Sequence, residues 1–225
     1  FINKSKNVNL QQSEESYVCC VCRFVEKKNL FTLINSFVYF KNNFPTYRKI
    51  KLKIAGNGPL QDKLILYLKS LKIHDIEFIG PINYKDLPEF YTKSNGLILL
   101  STSEQWGLVT NEALNCGIPV LISDKCGSKE LIKDDLNGFI VNANNIPQIA
   151  KRIKELIDLS NKDETKLNCR NSISNISTYN FAKSCYQSCN TSKTNIINKM
   201  IGFISILFLL FLKNLKSTNL RKFEA

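Results

Sequence analysis

The sequence predicts an α/β fold, a doubly wound parallel sheet of about six strands with helices on both faces and a helical tail. Three observations predict it. Short apolar runs rich in Val, Ile and Leu, too brief for helices, recur from Tyr17 onward. Longer stretches of helical period separate them. The runs are apolar on both sides, as strands covered by helices on two faces require.

Residues 1–16, polar and rich in Asn, Lys and Gln, hold neither period and read as a linker. The first strand is expected at Tyr17 to Cys22. After it, Leu30, Leu33, Ile34, Phe37 and Val38 recur at i, i+3, i+4 and i+7 spacing, the face of a helix packed on a sheet. A second strand follows at Ile50 to Ala55, with a helical face at Leu60 to Leu71. Further strands are expected at Ile76 to Ile79, Leu97 to Leu100, Pro119 to Ser123 and Phe139 to Val141, and the last helical face at Ile146 to Leu159. The body is therefore expected over 17–160, with a polar, partly helical tail over 161–195 and an apolar helix with basic flanks over 196–225.

At 225 residues and 44% apolar content the chain can bury a full core. Its formal charge of +12 invites a nucleic-acid partner, but residues 1–160 hold 21 Lys and Arg against 16 Asp and Glu. Most of the excess lies in the tail. No basic run interleaved with aromatics traces a phosphate backbone, so nucleic acid is not expected. Eight cysteines include one C-x-x-C, Cys19 to Cys22, with no second pair at metal-site spacing. No metal is expected, and Cys19, Cys20 and Cys22 read as small core hydrophobes. The scattered thiols and the lack of a signal segment fit a reducing, cytoplasmic compartment.

In doubly wound sheets ligands bind beyond the carboxyl ends of the strands. After the fourth strand, Ser101 to Ala113 turns directly into a helix, leaving the amides of Gly107, Leu108 and Val109 open toward an anion. Glu112, one turn on, is placed to accept from a ribose diol, and Glu104 precedes the turn, free to meet a sugar. The bland alternative is a pair of surface carboxylates that the helix dipole favours. After the first strand, Arg23 and Lys28 can converge on one diphosphate. Gly56 and Gly58, in Gly56-Asn57-Gly58-Pro59, allow close backbone approach after the second strand. Gly80-Pro81-Ile82 follows the third strand and Asp124 to Glu130 the fifth. His74 lies between a helix and a strand and is given no catalytic role.

Together these turns resemble the retaining glycosyltransferases of family four, with the GT-B fold, over about Tyr17 to Leu159. Arg23 and Lys28 match the family's cation pair on the donor diphosphate, and Gly56 to Pro59 its Gly-x-Gly-Pro turn. Glu104-Gln105-Trp106-Gly107-Leu108 with Glu112 matches its Glu-x7-Glu element, the first glutamate on the donor sugar and the second on the ribose. Asn111 to Val120, Glu130 and Asn137-Gly138 match the following segments. Cys22 and Cys126 stand where the family commonly has glycine. The resemblance implies that this is the Rossmann-like C-terminal half of such an enzyme. Arg23, Lys28 and Glu104 are then the catalytic groups, and Gly56, Gly58, Pro81, Trp106, Gly107, Leu108, Val109 and Glu112 hold the donor. It implies a UDP- or GDP-linked sugar donor, no cofactor, and a glycan, lipid or polysaccharide-precursor acceptor bound by a missing N-terminal domain. Transfer would proceed with retention and without metal, and this fragment alone is expected to be inactive.

In the tail, Met200 to Leu212 is uncharged between Lys199 and Lys213. It reads either as a closing helix or as an anchor that holds 196–215 to the cytoplasmic face of a membrane. A second reading of the whole chain is a truncated, non-catalytic remnant that binds nucleotide or is tethered to membrane.

Overall fold

The computed structural model describes residues 16–174. Strands and helices follow as β1 Tyr17–Val21, α1 Leu30–Asn43, β2 Lys51–Ala55, α2 Gln61–Leu71, β3 Ile76–Gly80, α3 Leu87–Thr92, β4 Leu97–Leu99, α4 Leu108–Cys116, β5 Val120–Ser123, β6 Gly138–Val141, α5 Ile146–Ser160 and α6 Asp163–Ser172. All strand pairs are parallel, in the order β3-β2-β1-β4-β5-β6. The chain winds outward from β1 through β3, returns to lay β4 beside β1, and winds outward the other way. That reversal opens a crevice at the carboxyl ends of β1 and β4.

Side chains alternate across the sheet as the strand period demands. Val18 and Cys20 of β1 enter the core shared with α1, α2 and α5, while Tyr17 and Cys19 enter the core shared with α3, α4 and α6. The fold is thus three layers, helices on both faces of one sheet. On α1 the buried stripe is Leu30, Leu33, Ile34, Phe37 and Phe40, each no more than 1% exposed. Val38 is only half-buried, and Phe40 takes the core place expected for it.

Two helices were not expected from apolar period. α3 has only six residues, with Pro88 and Tyr91 buried. α6 buries only Thr165 and Cys169, one turn apart, too narrow a face to stand out among Asn, Lys and Glu. It is nevertheless tied to the body: Thr165 Oγ1 donates to Leu159 O at 2.6 Å and Arg170 Nε to Asn115 O at 3.3 Å. The body accordingly extends to Ile173, past the expected boundary at Ser160.

The expected linker up to residue 15, the polar tail over 175–195 and the apolar segment over 196–225 lie outside the described residues. Among the described residues no helix is long and apolar enough to cross a membrane. No group of three or more ligand-type side chains there could hold a metal ion. Cys19, Cys20, Cys22, Cys116, Cys126 and Cys169 are free thiols.

Candidate functional site

The two turns that meet at the β1/β4 crevice are joined through their backbones. After β1 the chain passes Arg23 and the buried Phe24 into a 3-10 turn, Glu26–Lys28, and Asn29 at φ 56 swings it into α1. The Thr102 amide, after β4, donates to Lys27 O at 2.8 Å. Lys28 Nζ and Glu104 Oε2, 76 positions apart, therefore meet as an ion pair, each side chain only 14% exposed. Charges so sheltered are favoured by each other and costly if stranded. Arg23 is exposed on the same turn, and no ion pair holds it among the described residues.

Gly107, at φ 91, carries the chain from Glu104 into α4 in a conformation that side chains resist. A β-carbon there would stand 3.3 Å from Glu104 Cγ, so the turn runs directly beside that side chain. The Thr110 amide bends back onto Gly107 O at 2.9 Å. Among the described residues the amides of Gly107, Leu108 and Val109 donate to no backbone carbonyl, and no side chain caps the helix. Three amides without a backbone partner at the positive end of the α4 dipole thus follow Glu104 by three to five residues, with Gly107 packed beside its side chain. Trp106 is half-buried, its Nε1 donating to Asn111 Oδ1 at 2.8 Å, while Leu108 is 70% exposed.

Glu112 occupies the next turn of α4, half-buried, and its Oε2 accepts from the Tyr91 hydroxyl at 3.0 Å. Burial pushes this carboxyl above the usual carboxylate range, and the bond from Tyr91 pulls the other way. Tyr91 was missed in the sequence. Its position on a short helix, 21 residues before Glu112, leaves no local pattern to find it.

The turn after β2 packs against the loop that follows β1. A β-carbon on Gly56, at φ 129, would lie 1.9 Å from Cys22 O, and one on Gly58 would lie 2.5 Å from Phe24 O. The Phe24 amide donates to Asn57 O at 2.7 Å and the Leu60 amide to Phe24 O at 3.1 Å. The missing side chains let this turn lie on the backbone of Cys22 and Phe24, and it seats the loop bearing Arg23 and Lys28. The turn after β5 is likewise a brace. Gly127 and Ser128 amides donate to Glu104 O and Trp106 O at 3.0 and 2.9 Å, and Ser128 Oγ donates to Thr110 Oγ1 at 3.0 Å. Pro81 is exposed on the turn after β3, beside the open Ile79 and Tyr84.

The profile of the family described as "Glycosyl transferases group 1" matches residues 1–172. The alpha-monoglucosyldiacylglycerol synthase of Acholeplasma laidlawii is 27% identical over 189 residues, 84% of this chain and 46% of that protein. Among solved structures, the C-terminal domain of a group 1 glycosyl transferase from Francisella tularensis superposes with a TM-score of 0.62 at 21% identity, covering 75% of this chain and 87% of that one. The pneumococcal O-GlcNAc transferase GtfA, in complex with UDP and GlcNAc, gives 0.65 at 18% identity over 79% of this chain and 35% of that one. The aligned part spans less than half the length of the first curated relatives, 42%, 37% and 46%.

Proposed function

Because this chain belongs to the group 1 glycosyl transferases, we propose that its β1/β4 crevice is the donor site of a glycosyltransferase using a UDP- or GDP-linked sugar. The observation that carries this reading is the sheltered Lys28–Glu104 pair beside the open amides of Gly107, Leu108 and Val109. The donor diphosphate takes Lys28 and those amides, with the exposed Arg23 as a second cation. Positive groups fixed in advance around a departing diphosphate lower its departure barrier. As Lys28 turns to phosphate, Glu104 is released to orient the donor sugar. Glu112 accepts from the ribose hydroxyls. Pro81, Trp106 and Leu108 line the donor, as do Gly56 and Gly58, whose turn also holds the Lys28 loop in place.

The UDP complex of the pneumococcal neighbour supports a nucleoside diphosphate, and the lipid-named relative supports an acceptor among lipids, glycans or polysaccharide precursors. The acceptor would be held by a further domain of a longer protein, which the short span against its relatives supports. Retention of configuration and freedom from metal follow from the resemblance to family four. Arg23 and Lys28 supply the positive charge that such a mechanism needs. The setting would be the cytoplasm.

Titration calorimetry with UDP and with GDP tests the assignment. Lys28→Ala and Glu112→Ala are each expected to weaken the nucleotide that the parent chain binds. Unchanged affinity in both variants would overturn the site.

A further inference from the structure

We infer that Tyr91 is a positioning residue for the nucleotide site: its hydroxyl fixes one oxygen of Glu112, so that the other faces the ribose diol in a single orientation. The inference rests on the donor-site reading above and extends it to a residue outside the crevice turns.

The Tyr91 ring is fully buried in the core shared by α3, α4 and α6. A phenylalanine would fill the same space without burying a hydroxyl, whose removal from water costs energy unless a partner receives it. Here the partner is Glu112 Oε2 at 3.0 Å. The donor is well anchored. Tyr17 Oη donates to Phe90 O at 2.7 Å, the Tyr17 and Phe90 rings stack 5.5 Å apart, and the Asn95 amide donates to Tyr17 O at 2.7 Å. Ser94 Oγ donates to Tyr91 O at 2.9 Å. β1, at the centre of the sheet, thereby fixes α3, and α3 fixes the carboxylate on α4.

The chemistry of the contact suits a ribose. An ionised carboxylate accepts only, with room for about four hydrogen bonds over its two oxygens. Tyr91 uses part of Oε2 without bringing a charge, so an ionised Glu112 keeps acceptor capacity for two adjacent hydroxyls. Glu104 is different, since its carboxylate is matched by the Lys28 cation. A glutamate free to rotate would have to be ordered each time a nucleotide arrives, a cost the tyrosine removes beforehand. The same bond favours the ionised form of a carboxyl that burial otherwise drives toward protonation.

The test is calorimetry on the full chain with UDP, GDP, their 2′,3′-dideoxy counterparts and inorganic pyrophosphate, for the parent, Tyr91→Phe and Glu112→Gln. Tyr91→Phe is expected to weaken the ribonucleotide about three- to tenfold. It should erase most of the preference for the ribo over the dideoxy form, leave pyrophosphate affinity unchanged, and move the acid limb of ribonucleotide binding to higher pH. If Tyr91→Phe keeps the full ribose preference while Glu112→Gln loses it, the positioning role is wrong and the donor-site reading survives. If pyrophosphate and ribonucleotide weaken equally in Tyr91→Phe, with a lowered melting temperature, the tyrosine is only structural and the inference also fails. A parent chain that makes no distinction between ribo and dideoxy forms would sink the inference together with the role given to Glu112.

Discussion

Glu104 and Glu112 stand on one segment of chain yet are held in opposite ways. Glu104, on the turn after β4, is paired with a cation that comes from across the switch point, and both side chains are nearly closed off. Glu112, on the helix that follows, is held by a neutral phenol from the neighbouring helix on the same face of the sheet. A carboxylate matched by a mobile ammonium can give up its partner when a more strongly charged anion arrives. A carboxylate fixed by a core hydroxyl has nothing to give up and is ready at once. The first arrangement suits a group that acts after the donor lands, and the second a group that selects it.

The largest expected effect comes from breaking the scaffold under the cation that pairs with Glu104. Gly56→Ala would force a β-carbon into Cys22 O at φ 129. It is expected to cost about 3 kcal/mol or more of folding stability by chemical denaturation. In whatever fraction folds, the diphosphate grip should suffer before the ribose preference, because the displaced loop carries Lys28 and not Tyr91. Next is Lys28→Ala, which strands Glu104 and removes a charged contact to phosphate. Its loss should be about 1.5–3 kcal/mol, roughly ten- to hundredfold in UDP or GDP affinity, with the ribose preference intact in the same titrations.

Smaller still is Glu112→Gln, which keeps the side-chain shape and removes the charge. About three- to tenfold weaker ribonucleotide binding is expected, the worth of one ordinary hydrogen bond. Its pH signature is more telling. The Glu112 carboxyl keeps its proton to higher pH folded than unfolded, so its effect favours the fold below the ordinary carboxylate range. That contribution is lost as pH rises through the folded value. Nucleotide binding, which needs the anion, runs the other way and should weaken on acidification from a pH above that range. Glu112→Gln is expected to flatten both trends in melting and titration series.

Most of the sheet was legible because buried parallel strands are short and nearly uninterrupted by polar residues. Each of the six expected strands, such as Ile50 to Ala55 against Lys51–Ala55, lies within a residue of its place at either end. The crevice turns were legible as strand-to-helix turns on one sheet edge, but that those after β1 and β4 adjoin, and that Lys28 meets Glu104, depends on the strand order. What stayed hidden depends on packing between segments. Tyr91 and Glu112 meet only because α3 and α4 share one face of the sheet. α6 joins the body through two buried residues amid polar neighbours. That Gly56 packs on the backbone of Cys22 could not be read from the spacing of the glycines.

A crystal structure of the chain with UDP or GDP bound shows most directly where the nucleotide sits. The account requires the diphosphate between Lys28 Nζ and the amides of Gly107, Leu108 and Val109, with Glu104 freed from Lys28 and the ribose on Glu112. A nucleotide seated elsewhere, for instance in the roughly 460 Å³ cavity lined by Tyr47, Arg48 and Asn95, with the Lys28–Glu104 pair undisturbed, would contradict it.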